Sequence, residues 1–130
     1  MVDPGGSPVA MAEPAFSKHI EVQRTDCAVI LIPDANLTGD AATDELLHLF
    51  DSLEKEEPRC IVVDLHEAEF MNSLALGVVI SGHVRLTRQG CRFVLCNVND
   101  RIQKVIVITK LQKTLVIRET REDALKLCGN

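Results

Sequence analysis

The 130-residue sequence has no Trp and no Tyr, and Phe occurs only four times. A core built from this chain must therefore be aliphatic, and the stacking platform that single-stranded nucleic acid usually requires is missing. Basic residues are also in the minority, since 14 Lys and Arg face 19 Asp and Glu for a formal net charge of −5. Because an acidic surface does not track a phosphate backbone, we expect no nucleic-acid binding.

Long hydrophobic runs are absent too. No apolar run approaches the roughly 18–20 residues that a membrane-spanning helix needs. No Lys or Arg precedes Lys18, and the N-terminal segment has no continuous apolar stretch, so it does not read as a signal peptide. We therefore expect a soluble, cytoplasmic, single-domain protein without a membrane span. A chain of this length can bury about two thirds of its unfolded-state surface without disulfide or metal staples.

The cysteines form no metal-binding or disulfide pattern. The sequence has five of them, an odd number, with no Cys-x-x-Cys pair and no His at a zinc-ligand spacing. Most of them lie in or beside aliphatic runs. We predict that all five are reduced and act as small packing residues, and we expect no metal site. They are Cys27, Cys60, Cys91, Cys96 and Cys128.

Signatures of catalysis are missing as well. The sequence contains neither a G-x-x-x-x-G-K-[ST] nor a G-x-G-x-x-G phosphate-binding loop, and no G-x-S-x-G elbow surrounds Ser73 or Ser81. Asp64 ends a buried strand, where a receiver domain keeps its phospho-acceptor. The acidic pair and the Lys that such a Mg²⁺ site needs do not accompany it, so we interpret Asp64 as a carboxylate that accepts backbone hydrogen bonds. We expect neither enzymatic activity nor a cofactor.

Apolar strands and amphipathic helices alternate along most of the chain. Residues 1–16 hold three of the five prolines and show no apolar period, which predicts a flexible lead-in before a domain at 17–130. The alternation predicts an α/β fold with a mixed, mostly parallel sheet of about four to five strands and about four helices. The predicted strands are Ile20–Gln23, Ala28–Ile32, Cys60–Leu65, Phe93–Cys96 and Leu115–Ile117. The predicted helices are Thr43–Leu53, Asn72–Gln89, Asp100–Lys110 capped by Asp100, and Arg121–Leu127.

One segment stands out, Glu69 to Gly77 with the sequence EFMNSLALG. Asn72 is a good helix N-cap, and Ser73 falls in the first turn, where backbone N–H groups lack intrahelical partners. The Ser73 hydroxyl would then lie at the carboxyl edge of the sheet, where open α/β folds bind their ligands. Plain helix capping explains the same residues.

The segment resembles the signature of the STAS domain of bacterial anti-sigma factor antagonists. In that family a strand ending in Asp-Leu leads into a Phe-Met/Ile-Asp-Ser-Ser-Gly-Leu-Gly turn and a helix. Asp64 and Leu65 match the strand end, and Phe70, Met71, Ser73, Leu76 and Gly77 match the turn. The likeness extends from about Glu21 to the C-terminus.

The resemblance implies a docking protein. Its unphosphorylated form would bind an anti-sigma factor that is a serine protein kinase and so release a sigma factor, and phosphorylation of Ser73 would end the binding. Self-association is a further expectation. The implied partner-binding residues are Leu37, Thr38, Asn72, Ser73, Leu74 and Ala75.

Three positions of the motif depart from the family pattern. Asn72 replaces an Asp, Leu74 a Ser and Ala75 a Gly. An earlier Gly-x-Leu-Asp segment reads Ala35 to Thr38, and so also loses an acid. These changes leave two alternatives open. One is a scaffold STAS protein of the stressosome type that is not phosphorylated, and the other is the STAS subunit of a lipid-transport ATPase.

Overall fold

Five strands and four helices make up the part of the chain that the computed structural model describes, residues 19–129. The predicted lead-in, residues 1–16, lies outside the described residues. The strands are β1 Ile20–Arg24, β2 Val29–Pro33, β3 Cys60–Asp64, β4 Arg92–Cys96 and β5 Val116–Arg118. The helices are α1 Ala41–Glu56, α2 Ser73–Arg88, α3 Asp100–Ile108 and α4 Arg121–Gly129.

The strands form one sheet in the order β1-β2-β3-β4-β5. β1 runs antiparallel to β2, with Ile20 opposite Pro33, and the remaining pairs are parallel. The prediction of a mixed, mostly parallel α/β sheet is therefore confirmed. β3 lies at the centre and is buried on both faces, which explains its wholly apolar run from Cys60 to Val63.

Successive side chains along each strand point to opposite faces of the sheet, and each face has its own hydrophobic core. One face packs against α1, α2 and α3 through a large cluster that includes Leu31, Ile61 and Phe93. The other face carries a smaller cluster with Ile30 and Val62. Among the described residues, α4 is the helix that covers this second face.

The start of α3 differs from the prediction. Its N-cap is Asn99, whose Oδ1 accepts a hydrogen bond from the Ile102 backbone N–H at 2.9 Å, so the predicted cap at Asp100 was wrong. The β-branched run that follows is helical all the same. Burial of Ile102 and Ile106, one turn apart, outweighs the local preference of such residues for strands.

The prediction for the cysteines was wrong at two positions. Cys60 at the start of β3 and Cys128 near the end of α4 are joined by a disulfide, with their Cα atoms 5.4 Å apart. That separation lies in the normal range for a disulfide. Cys27, Cys91 and Cys96 are free. Spacing along the sequence could not reveal the pair, because the fold brings together positions 68 residues apart.

None of the described helices is long and apolar enough to cross a membrane. The longest, α1 and α2, have 16 residues each and carry charged side chains on their outer faces.

The closest approach of α2 to α1 depends on Gly82. A Cβ atom at this position would lie 2.5 Å from Cδ2 of Phe50, whose ring is completely buried. We expect Gly82→Ala to lower the free energy of unfolding by about 2 kcal/mol, because the new methyl group would force the buried ring or the helix backbone to shift. Urea unfolding measures this change.

Gly77, in the same helix, provides the matched control. A Cβ there would meet nothing within 4 Å, and the position is exposed. Gly77→Ala should therefore raise stability by about 0.5–1 kcal/mol through helix propensity alone. Equal effects of the two substitutions would contradict this description of the α1–α2 contact.

Candidate functional site

The loop that follows β3 is paired with the loop that follows β2. The Leu37 backbone N–H donates to the Phe70 carbonyl at 3.0 Å, and the Asn72 N–H donates to the Leu37 carbonyl at 3.0 Å. Leu37 and Met71, which form this short parallel bridge, are both fully buried. The two predicted partner-binding segments therefore lie side by side at the carboxyl edge of the sheet.

Two asparagines hold the β3–α2 loop from opposite sides. Asn36 Oδ1 accepts hydrogen bonds from the Glu69 and Phe70 backbone N–H groups at 3.1 and 3.0 Å. On the other side, Asn99 Nδ2 donates to the Glu69 carbonyl at 3.0 Å. Arg101 stacks over the Phe70 ring at 5.1 Å from its centroid. The backbone that leads to Ser73 is thus fixed by contacts to both neighbouring loops.

The first turn of α2 presents Ser73 to solvent. Asn72 caps the helix as predicted, with its Oδ1 accepting from the Ala75 N–H at 2.9 Å. Ser73 is the first helical residue and is exposed. No acidic residue lies in this turn. The helix itself therefore places no carboxylate against the partial positive charge of its N-terminus.

Leu74 is an exposed apolar side chain beside that serine. It is 66% exposed, although a Leu is usually buried. Its Cδ2 would lie only 2.5 Å from a Cβ built on Gly39, so the side chain packs directly over the glycine backbone. Gly39 also has a φ of +86°, which disfavours other residues. Leu74 thus connects α2 to the loop that follows β2.

The six predicted partner-binding residues divide by exposure. Thr38, Ser73 and Leu74 are exposed and Asn72 is half-buried, so their side chains form one accessible surface. Leu37 and Ala75 are fully buried, and they support that surface from below. We call the four accessible residues the Ser73 surface.

A buried ionic cluster lies behind the Ser73 surface. Asp64 is 1% exposed. Its Oδ1 accepts from the His66 backbone N–H at 3.0 Å and from Asn97 Nδ2 at 2.9 Å, and its Oδ2 accepts from Arg121 Nε at 2.8 Å. Arg121 also donates to Gln23 Oε1. The interpretation of Asp64 as a structural hydrogen-bond acceptor agrees with this geometry. The donors to Asp64 also include side chains from distant segments.

The environment of Asp64 favours its ionised form. Burial alone would raise the pKa of the carboxyl, but the hydrogen bonds from Asn97, Arg121 and His66 together outweigh it and lower the pKa below its ordinary value. The cluster therefore holds a carboxylate at neutral pH.

Residues 19–124 match the family model described as the STAS domain. The chain belongs to the STAS domain family. A sequence relative from Thermotoga neapolitana, named as a candidate anti-sigma factor antagonist, is 29% identical over 98 residues that cover 75% of this chain and 87% of the relative.

Solved structures show the same fold. A candidate anti-sigma factor antagonist from Thermotoga maritima superposes with a TM-score of 0.79 at 23% identity, covering 87% of this chain and 97% of the other. The anti-sigma factor antagonist SpoIIAA in its unphosphorylated form gives 0.67 at 16% identity, covering 85% and 99%. The phosphorylated form of SpoIIAA from Bacillus gives 0.65 at 18% identity, covering 83% and 97%.

The sequence did not predict four residues that lie behind the Ser73 surface of this STAS domain and position its loops. They are Asn36, Gly39, Asn97 and Asn99. A signal for them exists in the sequence. Asn36 follows β2 and Asn97 and Asn99 follow β4, and the carboxyl ends of parallel strands meet at one edge of a sheet. Polar side chains at those ends were therefore bound to lie close to one another.

Replacing the buried carboxylate tests the Asp64 cluster. We expect Asp64→Asn to lower the free energy of unfolding at pH 7 by about 2–3 kcal/mol, because it leaves the Arg121 guanidinium without its anion. Since the folded-state pKa is depressed, the wild-type advantage is complete above a pH of about 4 and is lost as pH falls through the folded-state pKa. Urea unfolding at several pH values measures both effects.

An exposed ion pair serves as the control. Arg85 Nη1 lies 2.7 Å from Asp51 Oδ1, but the Asp51 side chain is half exposed. Asp51→Asn should cost less than about 1 kcal/mol, since water screens such pairs. If Asp64→Asn cost no more than Asp51→Asn, the Asp64 cluster would not have the stabilising role described.

Proposed function

We propose that this STAS protein is a cytoplasmic anti-sigma factor antagonist regulated at Ser73. Its unphosphorylated form binds an anti-sigma factor that is a serine protein kinase, and this binding releases a sigma factor. Phosphorylation of Ser73 by the same kinase ends the binding. Family membership and the names of the relatives support the antagonist role.

The observation that carries the proposal is the position of Ser73 next to Leu74. An exposed hydroxyl that a kinase can reach lies beside a leucine that is 66% exposed. A single exposed leucine is common on protein surfaces, but this one lies within the segment that the family resemblance implies binds the partner. A partner seated on Leu74 would therefore also cover the Ser73 hydroxyl.

A phosphate at this position would act locally. It adds about −1.5 to −2 charges, which a helix N-terminus accommodates, and the first turn of α2 holds no carboxylate that would repel it. An apolar interface closing over Leu74 would have to remove water from the same phosphate, at a large free-energy cost. Phosphorylation would thus oppose docking without unfolding the domain.

The kinase step can be tested directly. The protein is incubated with Mg-ATP and the anti-sigma kinase encoded nearest to its gene, and the phosphate is located by mass spectrometry. We expect one phosphate, on Ser73, and none in a Ser73→Ala variant. Ser81 is a second exposed serine of the same helix and serves as an internal control. No modification, or modification at Ser81 alone, would refute regulation at Ser73.

The docking step is tested with variants that change the charge at Ser73 or the size of Leu74. Isothermal titration calorimetry measures the affinity of each variant for the same anti-sigma factor. We expect Ser73→Asp and Leu74→Ala each to weaken binding at least about tenfold, or about 1.4 kcal/mol. Ser81→Asp adds the same charge to α2 about two turns further along and should bind like wild type. Circular dichroism checks that each variant is folded.

The alternative STAS roles predict other results in these experiments. Full affinity of Ser73→Asp would contradict the phosphate switch. A stable high-order oligomer that binds no kinase would indicate a scaffold, and co-purification with the nucleotide-binding subunit of a transporter would indicate a lipid-transport role.

A further inference from the structure

Three cysteines converge at the amino-terminal edge of the central strands, at the opposite end of β3 from the Ser73 surface. Cys60 opens β3 and is bonded to Cys128 near the end of α4. Cys27 lies in the turn between β1 and β2. A Cβ atom built on Gly129, the neighbour of Cys128, would lie 3.9 Å from Cys27 Sγ. The third sulfur is thus within contact distance of the segment that carries the disulfide.

The three sulfurs differ in accessibility. Cys60 is 0% and Cys128 is 5% exposed, so the bond between them is buried. Cys27 is half-buried, and together with Cys60 it lines an open cavity of about 190 Å³. Arg24 and Arg59 line the same cavity. Solvent-borne thiols therefore have access to Cys27.

Cys27 occupies a well-defined position. Thr25 Oγ1 accepts hydrogen bonds from the Cys27 and Ala28 backbone N–H groups at 3.3 and 3.0 Å, and the Thr25 N–H donates to the Ala28 carbonyl at 2.8 Å. The side chain packs against the apolar cluster under α4. The turn therefore holds the thiol against the end of α4.

The other two cysteines are not suited to exchange. Cys91 and Cys96 are buried, and burial raises the pKa of Cys91 to about 11 and that of Cys96 to about 12. Because only a thiolate attacks a disulfide, these two remain inert.

We propose that Cys27, Cys60 and Cys128 form a thiol–disulfide exchange site in which Cys27 is the entry thiol. This inference is independent of the function proposed for Ser73. In a cytoplasmic protein, as the sequence predicts here, a disulfide is usually transient, serving catalysis or redox sensing.

Reduction proceeds in three balanced exchanges. The Cys27 thiolate, having given its proton to water, attacks Cys128 Sγ, so that a Cys27–Cys128 bond forms and the Cys60–Cys128 bond breaks. Cys60 leaves as a thiolate and takes up a proton. An external dithiol then attacks the accessible Cys27 sulfur and releases Cys128, and its second thiol displaces Cys27. Two electrons and two protons pass to the protein, and the dithiol becomes a disulfide.

The Cys60–Cys128 disulfide attaches one end of α4 to β3. At the other end, Arg121 donates a hydrogen bond to Asp64, and between these two contacts Ala124 packs on the second face of the sheet. The exchange site therefore controls how firmly this face is covered.

The full-length protein is equilibrated with oxidised glutathione, alkylated and mapped by mass spectrometry. After alkylation in denaturant we expect a Cys60–Cys128 link, with Cys91 and Cys96 alkylated and Cys27 either alkylated or carrying glutathione. Under native conditions dithiothreitol should then reduce this link at least about tenfold more slowly in Cys27→Ser than in wild type, because the buried bond has lost its entry thiol. Cys91→Ser, a free buried cysteine, should react like wild type.

A second variant tests the geometry without relying on rates. Oxidised Cys60→Ser should contain a Cys27–Cys128 link, with urea unfolding confirming that the variant is folded. The proposal fails if oxidation of wild type produces no Cys60–Cys128 bond. It also fails if Cys27→Ser is reduced as fast as wild type at equal stability, or if folded Cys60→Ser forms no link between Cys27 and Cys128.

Discussion

Asp64 places a buried negative charge at the carboxyl end of the central strand. Hydrogen-bond donors from three segments of the fold compensate this charge. An uncompensated carboxylate there would cost several kcal/mol. The compensating donors are Arg121, Asn97 and His66. Because these residues belong to α4, to the loop after β4 and to the loop after β3, the solvation of one charge determines where three segments lie. The loop after β3 leads directly to Ser73, so this cluster helps to position the Ser73 surface.

The amides around that surface explain how its residues can depart from the family pattern without loss of structure. Asn72 caps α2 through a carbonyl oxygen, as an Asp would, and the Thr38 hydroxyl donates to Asp40 Oδ2 at 3.1 Å. Asn72 and Thr38 each lack the charge of an Asp, and each still makes a local hydrogen bond. The backbone beneath is set by Asn36 and Leu37, which do not depend on those charges. Recognition of a partner can therefore differ from that of relatives while the fold remains the same.

Local patterns were sufficient to predict the elements of the fold, and they failed where contacts join distant parts of the chain. The apolar run of β3 and the helical spacing of α1 contributed to the prediction of a mixed, mostly parallel sheet with crossover helices, and the motif resemblance located Ser73. The pairs Asp64 with Arg121 and Cys60 with Cys128 are 57 and 68 residues apart. Such pairs depend on which strand ends become neighbours, and this is settled only when the whole sheet is assembled. The cap of α3 was missed for a smaller reason, because Asn99 and Asp100 are both good caps and only the backbone geometry distinguishes them.

Helix α4 is attached at both of its ends, one at each edge of the sheet. A nine-residue helix is marginal by itself, and α4 buries only Ala124 and Cys128 completely. Ala124 and the partly buried Leu125 and Leu127 pack on the second face, and the ends of the helix are fixed by Arg121 on the buried carboxylate and by Cys128 on β3. Because Arg121 also compensates Asp64 behind the Ser73 surface, α4 connects the two edges of the sheet, which lie at opposite ends of β3.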